Sequence, residues 1–326
     1  MKVYTTRVLP DAGIQALKNA GCEVVQYAEN RELSKEALIK TCQDFDALLV
    51  AGHVKLDEDF FSKCTHLKAV SLLSVGYDNV DINAATKYKI PVGHTPDVLS
   101  GATADTAFLL MLAVSRKAFY MYDYIKQGKW NFYQPTANLG IELNNKTLGI
   151  FGLGRIGIEL AKKAKGAYNM DIIYHNRKRN EEAERLLGAR FVSFDELLQQ
   201  SDVLSVHANL SEETKGIFNK DAFAKMKPAS IFINTARGGL HNEKDLAEAL
   251  QNGIIWGAGL DVTNPEPMSK DNVLLTMPNV CVLPHQGSAT IETRSAMAKL
   301  AAENIVAIAE GKQMPHTVNK EVYGMV

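Results

Sequence analysis

The sequence predicts an α/β protein of two doubly wound parallel-sheet domains, and three observations carry that prediction. Short apolar runs alternate with amphipathic stretches along the whole chain, the rhythm of strands joined by crossover helices. At 326 residues the chain is long for one core, so two domains are the default. The alternation also starts afresh near residue 148, where an apolar run turns abruptly into closely spaced glycines and then into a helical pattern.

In the first half, strands are expected at residues 2–8, 23–27, 46–50 and 67–73, with a short one at Pro91-Val92-Gly93. Helices are expected between them at 11–20, 34–43, 57–63 and 81–88. Five such strands complete a small flavodoxin-like domain, and ligands of these sheets bind beyond the carboxyl ends of the strands. That rule singles out the loops Ala51-Gly52-His53-Val54 and Ser74-Val75-Gly76-Tyr77-Asp78 as candidate substrate loops. His53 reads equally well as a surface histidine, whereas Gly76 can bare its neighbours' amides to an anion. A single helix is expected from about Ala102 to Gln127, apolar around most of its circumference. Such a helix is buried on more than one side, which predicts a link between domains and the seam of a homodimer. The aromatic loop Gly128-Lys129-Trp130-Asn131-Phe132-Tyr133-Gln134-Pro135 follows and is expected at that interface.

The stretch Leu148-Gly149-Ile150-Phe151-Gly152-Leu153-Gly154-Arg155-Ile156-Gly157 reads as strand, tight turn, helix. Gly152 permits the turn, Gly154 lets a pyrophosphate approach the backbone, and Gly157 brings the helix against the strand, with the amides around Arg155 and Ile156 facing the phosphates. The helical Glu159–Ala164 and the strand-like Asp171-Ile172-Ile173-Tyr174 supply the context that the motif needs. This is a Rossmann dinucleotide-binding pattern. Domains specific for NAD carry an acid at the end of the second strand to accept ribose hydroxyls. Here His175-Asn176-Arg177-Lys178-Arg179 follows instead, a cationic cluster where a 2′-phosphate would lie. NADP(H) is therefore expected to be preferred, with NAD(H) possible. Arg177 is the first choice for the phosphate because a guanidinium offers a planar fork, with Asn176 able to hydrogen-bond beside it.

Helices near 181–187, 195–199, 219–225 and 242–251 then alternate with strands at 203–207, 230–234, 255–260 and 280–283. The long helical pattern from Ile291 to Ala309 has no strand left to serve, so the tail is expected back on the first domain. The expected organisation is a discontinuous substrate domain, residues 1–100 and 288–326, around a dinucleotide-binding domain at 101–287. Apolar content of 46% supports real cores, and 36 Lys+Arg against 37 Asp+Glu gives no field that would draw nucleic acid or an anionic membrane. No apolar run approaches the eighteen or so residues of a membrane span, and no signal-peptide core is visible, so a cytoplasmic location is expected. Cys22, Cys42, Cys64 and Cys281 lie far apart without a C-x-x-C pair, which points to buried thiols and to neither a metal site nor a disulfide framework.

Three polar signatures fall at strand ends: Asn234-Thr235-Ala236-Arg237-Gly238-Gly239, Asp261-Val262-Thr263-Asn264-Pro265-Glu266-Pro267 and Pro284-His285-Gln286-Gly287-Ser288-Ala289-Thr290. Reduction of a 2-keto acid needs a fixed cation for the carboxylate and developing alkoxide, a proton donor, and a carboxylate that keeps the donor charged. Arg237, His285 and Glu266 are of these types, although each alone has an ordinary structural reading.

Taken together, FGLGRIG from Phe151, NTARGG from Asn234, GAGLDV from Gly257, PEP from Pro265 and PHQGSAT from Pro284 make the chain resemble the D-isomer-specific 2-hydroxyacid dehydrogenase family, most nearly its glyoxylate/hydroxypyruvate reductase branch. The resemblance implies Arg237 on the substrate carboxylate and carbonyl, Glu266 orienting His285, and His285 as acid/base. It implies the backbone amides of Val75 and Gly76 on the carboxylate, beside Ser74 and His53. Asp261 would hold the nicotinamide carboxamide, and Thr103, His207, Thr235 and Ala236 would complete the cofactor site. Tyr133 occupies the place from which, in that branch, an aromatic residue reaches the partner's active site. The implied activity is hydride transfer to a glyoxylate, hydroxypyruvate or 2-ketogluconate type of keto acid. The rival is a nucleotide-sensing, corepressor-like protein, since some members resembling this family serve that way. Two residues depart from the family pattern: Gln286 stands after the histidine where an apolar residue is common, and Asn209 where a proline is usual. Glu266 in place of glutamine argues against formate dehydrogenation.

Overall fold

A computed structural model describes residues 1–324, so the last two residues of the expected 288–326 segment lie outside the described residues. Internal contacts divide the chain into two compact units, Met1–Leu99 with the segment from Ser288, and Ser100–Gly287.

The first unit runs β1 (Lys2–Thr5), α1 (Asp11–Asn19), β2 (Glu23–Gln26), α2 (Lys35–Cys42), β3 (Ala47–Val50), α3 (Glu58–Lys63), β4 (Ala69–Leu72), α4 (Ile82–Lys87) and β5 (Val92–Gly93). Its five strands are parallel in the order β2-β1-β3-β4-β5. Side chains alternate across a strand, so Leu48 and Val50 join Phe60, Phe61 and Val70 on one face while Ala47 and Leu49 join Leu17, Ala301 and Ile305 on the other. Covering both faces is what makes these strands continuous apolar runs. β1 stops at Thr5, short of the expected residue 8. Past that point hydroxyls take up the chain: Thr5 Oγ1 donates to the Arg7 carbonyl and Thr6 Oγ1 to that of Ala51, each at 2.7 Å.

The second unit opens with α5 (Ser100–Ser115) and α6 (Ala118–Lys126), two helices where one was expected. Lys117 takes a left-handed φ of 53°, and the Ser115 carbonyl accepts from the Ile141 N–H at 2.9 Å instead of continuing the helix. α5 carries the buried face, whereas α6 has no buried residue. The unit continues β6 (Thr147–Phe151), α7 (Arg155–Tyr168), β7 (Asp171–His175), α8 (Glu181–Leu187), β8 (Arg190–Phe191), α9 (Phe194–Gln200), β9 (Val203–Val206), α10 (Lys220–Ala224), β10 (Ile231–Asn234), α11 (Glu243–Gln251), β11 (Gly257–Leu260) and β12 (Val280–Val282). Its seven parallel strands lie in the order β12-β11-β10-β9-β6-β7-β8. β8 was not expected, because two exposed residues present no apolar run. Here too the strands feed both faces: Ile231 and Ile233 of β10 pack with α5, and Phe232 packs among Phe218, Phe223 and Leu260.

The chain then returns to the first unit as α12 (Ile291–Ala309), whose N-terminus is capped by Thr290 Oγ1 accepting from the Thr293 N–H at 3.1 Å. α12 packs on α1 so closely that a Cβ on Gly13 would lie 2.7 Å from the Ala298 carbonyl oxygen. Beyond α12 the tail runs antiparallel along the free edge of β5, where Gly93 faces Thr317, the Val318 N–H donates to the Val92 carbonyl at 2.7 Å, and Asn319 Oδ1 accepts from the Val92 N–H at 2.8 Å. An edge strand two residues long is thereby paired along both sides. Among the described residues no helix is long and apolar enough to cross a membrane.

Candidate active site

In the second unit the strand order reverses between β6 and β9, and that switch point is where open α/β sheets bind ligands. Gly152 sits there at φ 97°, and a Cβ on it would lie 2.6 Å from the Ala208 amide nitrogen. Gly157 is also closely packed, its Cβ position 3.0 Å from the Gly152 carbonyl oxygen. Around Gly154, by contrast, the space is open. α7 begins at Gly154 with no side-chain cap and no acid in its first turn, unlike α8 and α11, which Asn180 and Asn242 cap. The amides of the first turn, from Arg155 and Ile156 on, are thus left to an anion. Two buried polar atoms at neighbouring strand ends have no hydrogen-bond partner among the described residues, His207 Nδ1 just past β9, beside the turn, and Thr235 Oγ1 just past β10, one strand further. Open backbone and an uncapped helix at the switch point, with orphaned polar atoms at the ends of the strands beside it, fit a bound dinucleotide.

The segment after β7 sorts the expected phosphate ligands by what already engages them. Asn176 Oδ1 accepts from the Leu153 N–H at 2.7 Å, and Asn180 Nδ2 donates to the Leu153 carbonyl at 3.0 Å, so both amides clamp the middle of the glycine turn. Arg179 forms a two-pronged pair with Glu184 at 3.0 and 2.5 Å. The Arg179 guanidinium and the Tyr174 hydroxyl together hold the Glu184 carboxyl down to about 2. Arg177 and Lys178 remain exposed.

Arg237 follows β10, half-buried, with Nη1 on the Ala236 carbonyl at 2.7 Å. Asn234 organises its loop: Nδ2 donates to the Arg237 carbonyl at 2.9 Å and to His241 Nδ1 at 3.0 Å, while Oδ1 accepts from the Ala236 N–H at 3.0 Å. Gly238 admits no side chain, since a Cβ would fall on the Thr263 carbonyl. The roles of Asn234 and His241, like that of Asn180, escaped the sequence reading, although an amide closing a buried strand was a usable signal.

At the end of β12, His285 adopts a left-handed φ of 53° and its N–H donates to the Asp261 carbonyl at 2.9 Å. The Asp261 carboxylate accepts from the Gln286 N–H at 2.6 Å and the Gly287 N–H at 2.7 Å. Burial pushes the Asp261 carboxyl up, against the pull of these amides and of the His285 charge. His285 Nδ1 lies 2.6 Å from Glu266 Oε1, with a third or less of either side chain exposed. An ionised carboxylate only accepts, so Nδ1 carries the hydrogen of this pair and fixes the ring's tautomer. Thr103 of α5 packs against Gly287. Gln286 turns its amide to the Pro284 carbonyl at 3.1 Å, and the Asn209 carbonyl accepts from Thr214 Oγ1 at 2.8 Å, so both departures from the family pattern are exposed loop residues.

In the first unit the candidate loops emerge from the carboxyl ends of β3 and β4. His53 is exposed, beside a Gly52 at φ 103°. Ser74, Val75 and Gly76 are half-buried, with Ser74 Oγ donating to the Gly76 carbonyl at 2.7 Å.

The family pattern described as D-isomer specific 2-hydroxyacid dehydrogenase, NAD binding domain, matches residues 108–287. A glyoxylate reductase from Pyrococcus furiosus is 41% identical over 325 residues, covering 98% of this chain and 96% of that protein. The crystal structure of a glyoxylate reductase from Paecilomyes thermophila is similar with a TM-score of 0.86 at 34% identity, over 98% of this chain and 99% of that one. The NADPH-dependent glyoxylate/hydroxypyruvate reductase of Sinorhizobium meliloti, solved with NADP and malonate, is similar with a TM-score of 0.85 at 31% identity, over 97% and 96% of the two chains.

The Asn234–His241 pair predicts an acid-sensitive loop. Burial pushes the His241 ring from 6.5 down to about 4, so below pH 6.5 the unfolded chain takes a proton that the native one refuses. Its contribution is present above 6.5 and is lost as pH falls toward 4, at about 1.4 kcal/mol per pH unit. Urea midpoints measured from pH 7 to pH 4 should therefore fall less steeply in His241→Asn than in the wild type, and equal slopes would remove this assignment.

Proposed function

The chain belongs to the D-isomer specific 2-hydroxyacid dehydrogenase family, and from that premise we propose that it reduces a small 2-keto acid, glyoxylate or hydroxypyruvate foremost, to the D-2-hydroxy acid with a nicotinamide cofactor. The observation that carries the reading is the 2.6 Å pairing of Glu266 with His285 Nδ1, in the same unit as an open glycine turn. Relatives named as reductases support it and lend nothing to the nucleotide-sensing alternative.

When bound, the nicotinamide supplies the hydride for the carbonyl carbon. The residues proposed to hold it are Gly152, Gly154, Arg155, Ile156 and Gly157 at the pyrophosphate, and Thr103, His207, Thr235, Ala236 and Asp261 toward the nicotinamide. Both Asp261 oxygens already accept backbone amides, and a carboxylate oxygen has capacity for a second donor. His285 gives its Nε2 proton to the carbonyl oxygen while Glu266 fixes the ring and balances its charge. Arg237 takes the carboxylate and the developing negative charge on the carbonyl oxygen. On the first unit the amides of Val75 and Gly76 take the carboxylate, and Ser74 and His53 serve the substrate tail. The buried thiols suit a reducing compartment, and a cytoplasmic location belongs to this reading.

A homodimer is also part of it. Tyr122, Ile125, Trp130, Phe132, Tyr133 and Leu139, all between residues 122 and 139, are each more than half exposed, and large apolar side chains left in water are disfavoured. Tyr133, at 85% exposed, is proposed to reach the partner's substrate. A particle of twice 35.8 kDa in dilute solution is expected, and a monomer contradicts it.

The direct test is consumption of NADPH with glyoxylate and with hydroxypyruvate. His285→Ala should lower kcat by a factor of about a hundred to ten thousand. Arg237→Ala should raise KM as well, because a carboxylate contact exists before the transition state. Wild-type protein that binds NADPH and turns over neither acid would overturn the reading.

Preference for NADPH rests on Arg177 and Lys178, two exposed cations after β7 for which no ion pair is seen among the described residues. One or two charge-assisted contacts favour NADPH by roughly ten- to several hundred-fold. Dissociation constants from nucleotide fluorescence, with kcat/KM for both cofactors, are expected to show that ratio and its collapse in Arg177→Ala. Equal wild-type values would refute the preference, and an unaltered ratio in the variant would refute the role of Arg177.

A further inference from the structure

We propose that His94 is a positioning residue that aims the Gly76 N–H at the substrate carboxylate, an inference that rests on the reading of Val75 and Gly76 as carboxylate donors. A trans peptide is planar, so its C=O and the next residue's N–H point in opposite directions. Fixing one carbonyl therefore fixes the direction of one donor. The Val75 carbonyl lies 3.0 Å from His94 Nδ1, and because a carbonyl only accepts, Nδ1 carries the hydrogen. The preceding carbonyl, that of Ser74, accepts the Thr95 N–H at 2.9 Å. Both peptide units that carry the proposed donors are thus held by their oxygens to the chain leaving β5. Their N–H groups face the other way, and neither finds an acceptor among the described residues of this unit. The Ser74 hydroxyl on the Gly76 carbonyl closes the far side of the loop at 2.7 Å.

His94 can serve as this anchor because it is itself fixed from several directions. Its N–H donates to the His316 carbonyl of the returning tail at 3.1 Å, and its carbonyl accepts from Asn304 Nδ2 of α12 at 3.1 Å. Tyr77 meets its ring edge to face, with centroids 6.0 Å apart and planes at 78°. Asn304 comes that close only because residue 93 is glycine, for a Cβ there would lie 2.6 Å from the same amide nitrogen. The tail along β5 thereby bears on substrate binding: it sets the histidine, the histidine sets the peptide plane, and the plane sets the donor.

The test pairs two variants, His94→Phe, which keeps a ring against Tyr77 and removes the donor, and His94→Asn, whose amide nitrogen stands near the place of Nδ1. In His94→Phe the KM for glyoxylate and the inhibition constant of oxamate, an unreactive keto-acid mimic, should each rise about tenfold, the effect of one hydrogen bond. kcat and the NADPH dissociation constant should stay unchanged, because the carboxylate contact is shared by ground and transition states. His94→Asn should restore most of both constants. Unchanged KM and oxamate inhibition in His94→Phe, with or without a lower Tm, would overturn the inference, as would equal losses for oxamate and NADPH. Wild-type protein that neither reduces glyoxylate nor binds oxamate would overturn the underlying reading instead, a result separable from any effect of the variants.

Discussion

Asp261 accepts the N–H groups of Gln286 and Gly287 on its two carboxylate oxygens and the N–H of His285 on its carbonyl. Three successive amides converging on one residue force the chain after β12 into a tight turn, and His285 enters the left-handed region at φ 53° to make it. A non-glycine residue there costs about 1–2 kcal/mol. Hydrogen bonds to a charged group contribute about 1.5–3 kcal/mol each, so two of them offset that cost. The same turn sets His285 Nδ1 at 2.6 Å from Glu266. Without Asp261 the histidine would lose the backbone conformation that lets a loop from the end of β11 and a residue after β12 meet.

The cofactor half of the unit depends on a comparable economy of backbone. Gly152 and Gly157 bring α7 hard against β6, and the helix start is left uncapped where an anion is to lie. Asn176 and Asn180 then hold Leu153 from the next strand, so the phosphate-binding turn and the segment carrying Arg177 are one hydrogen-bonded body. Side chains that sequence alone offers as ligands thus divide into those that shape the turn and those that stay exposed at its rim.

Most of the fold was legible because buried parallel strands and amphipathic helices write their periods plainly. Ile291–Ala309 was read with the bounds it has, and the glycine turn with the conformation that its residue types require. What was not legible turns on tertiary choices. The break at Lys117 leaves no proline or glycine to announce it, and it exists because the Ser115 carbonyl is claimed by Ile141 across the unit. β8 is two exposed residues with no pattern of their own. In the site, the types Arg237, Glu266 and His285 were readable from strand ends. The diversion of Arg179 to Glu184 and of Asn176 to Leu153 was not, since both depend on partners set by the fold. His94 was silent for the same reason, its proposed function being to orient a peptide whose carbonyl lies 19 residues away along the chain.

The proposed role of Glu266 is to orient and charge-balance His285, which it meets at 2.6 Å. The most direct measurement is kcat for glyoxylate reduction by Glu266→Ala, taken together with its dissociation constants for NADPH and oxamate. kcat is expected to fall by about a hundredfold, as for a proton donor left unoriented, while both binding constants stay within error of the wild type. A kcat that is unchanged, or one that falls only in step with lost binding, would contradict that role.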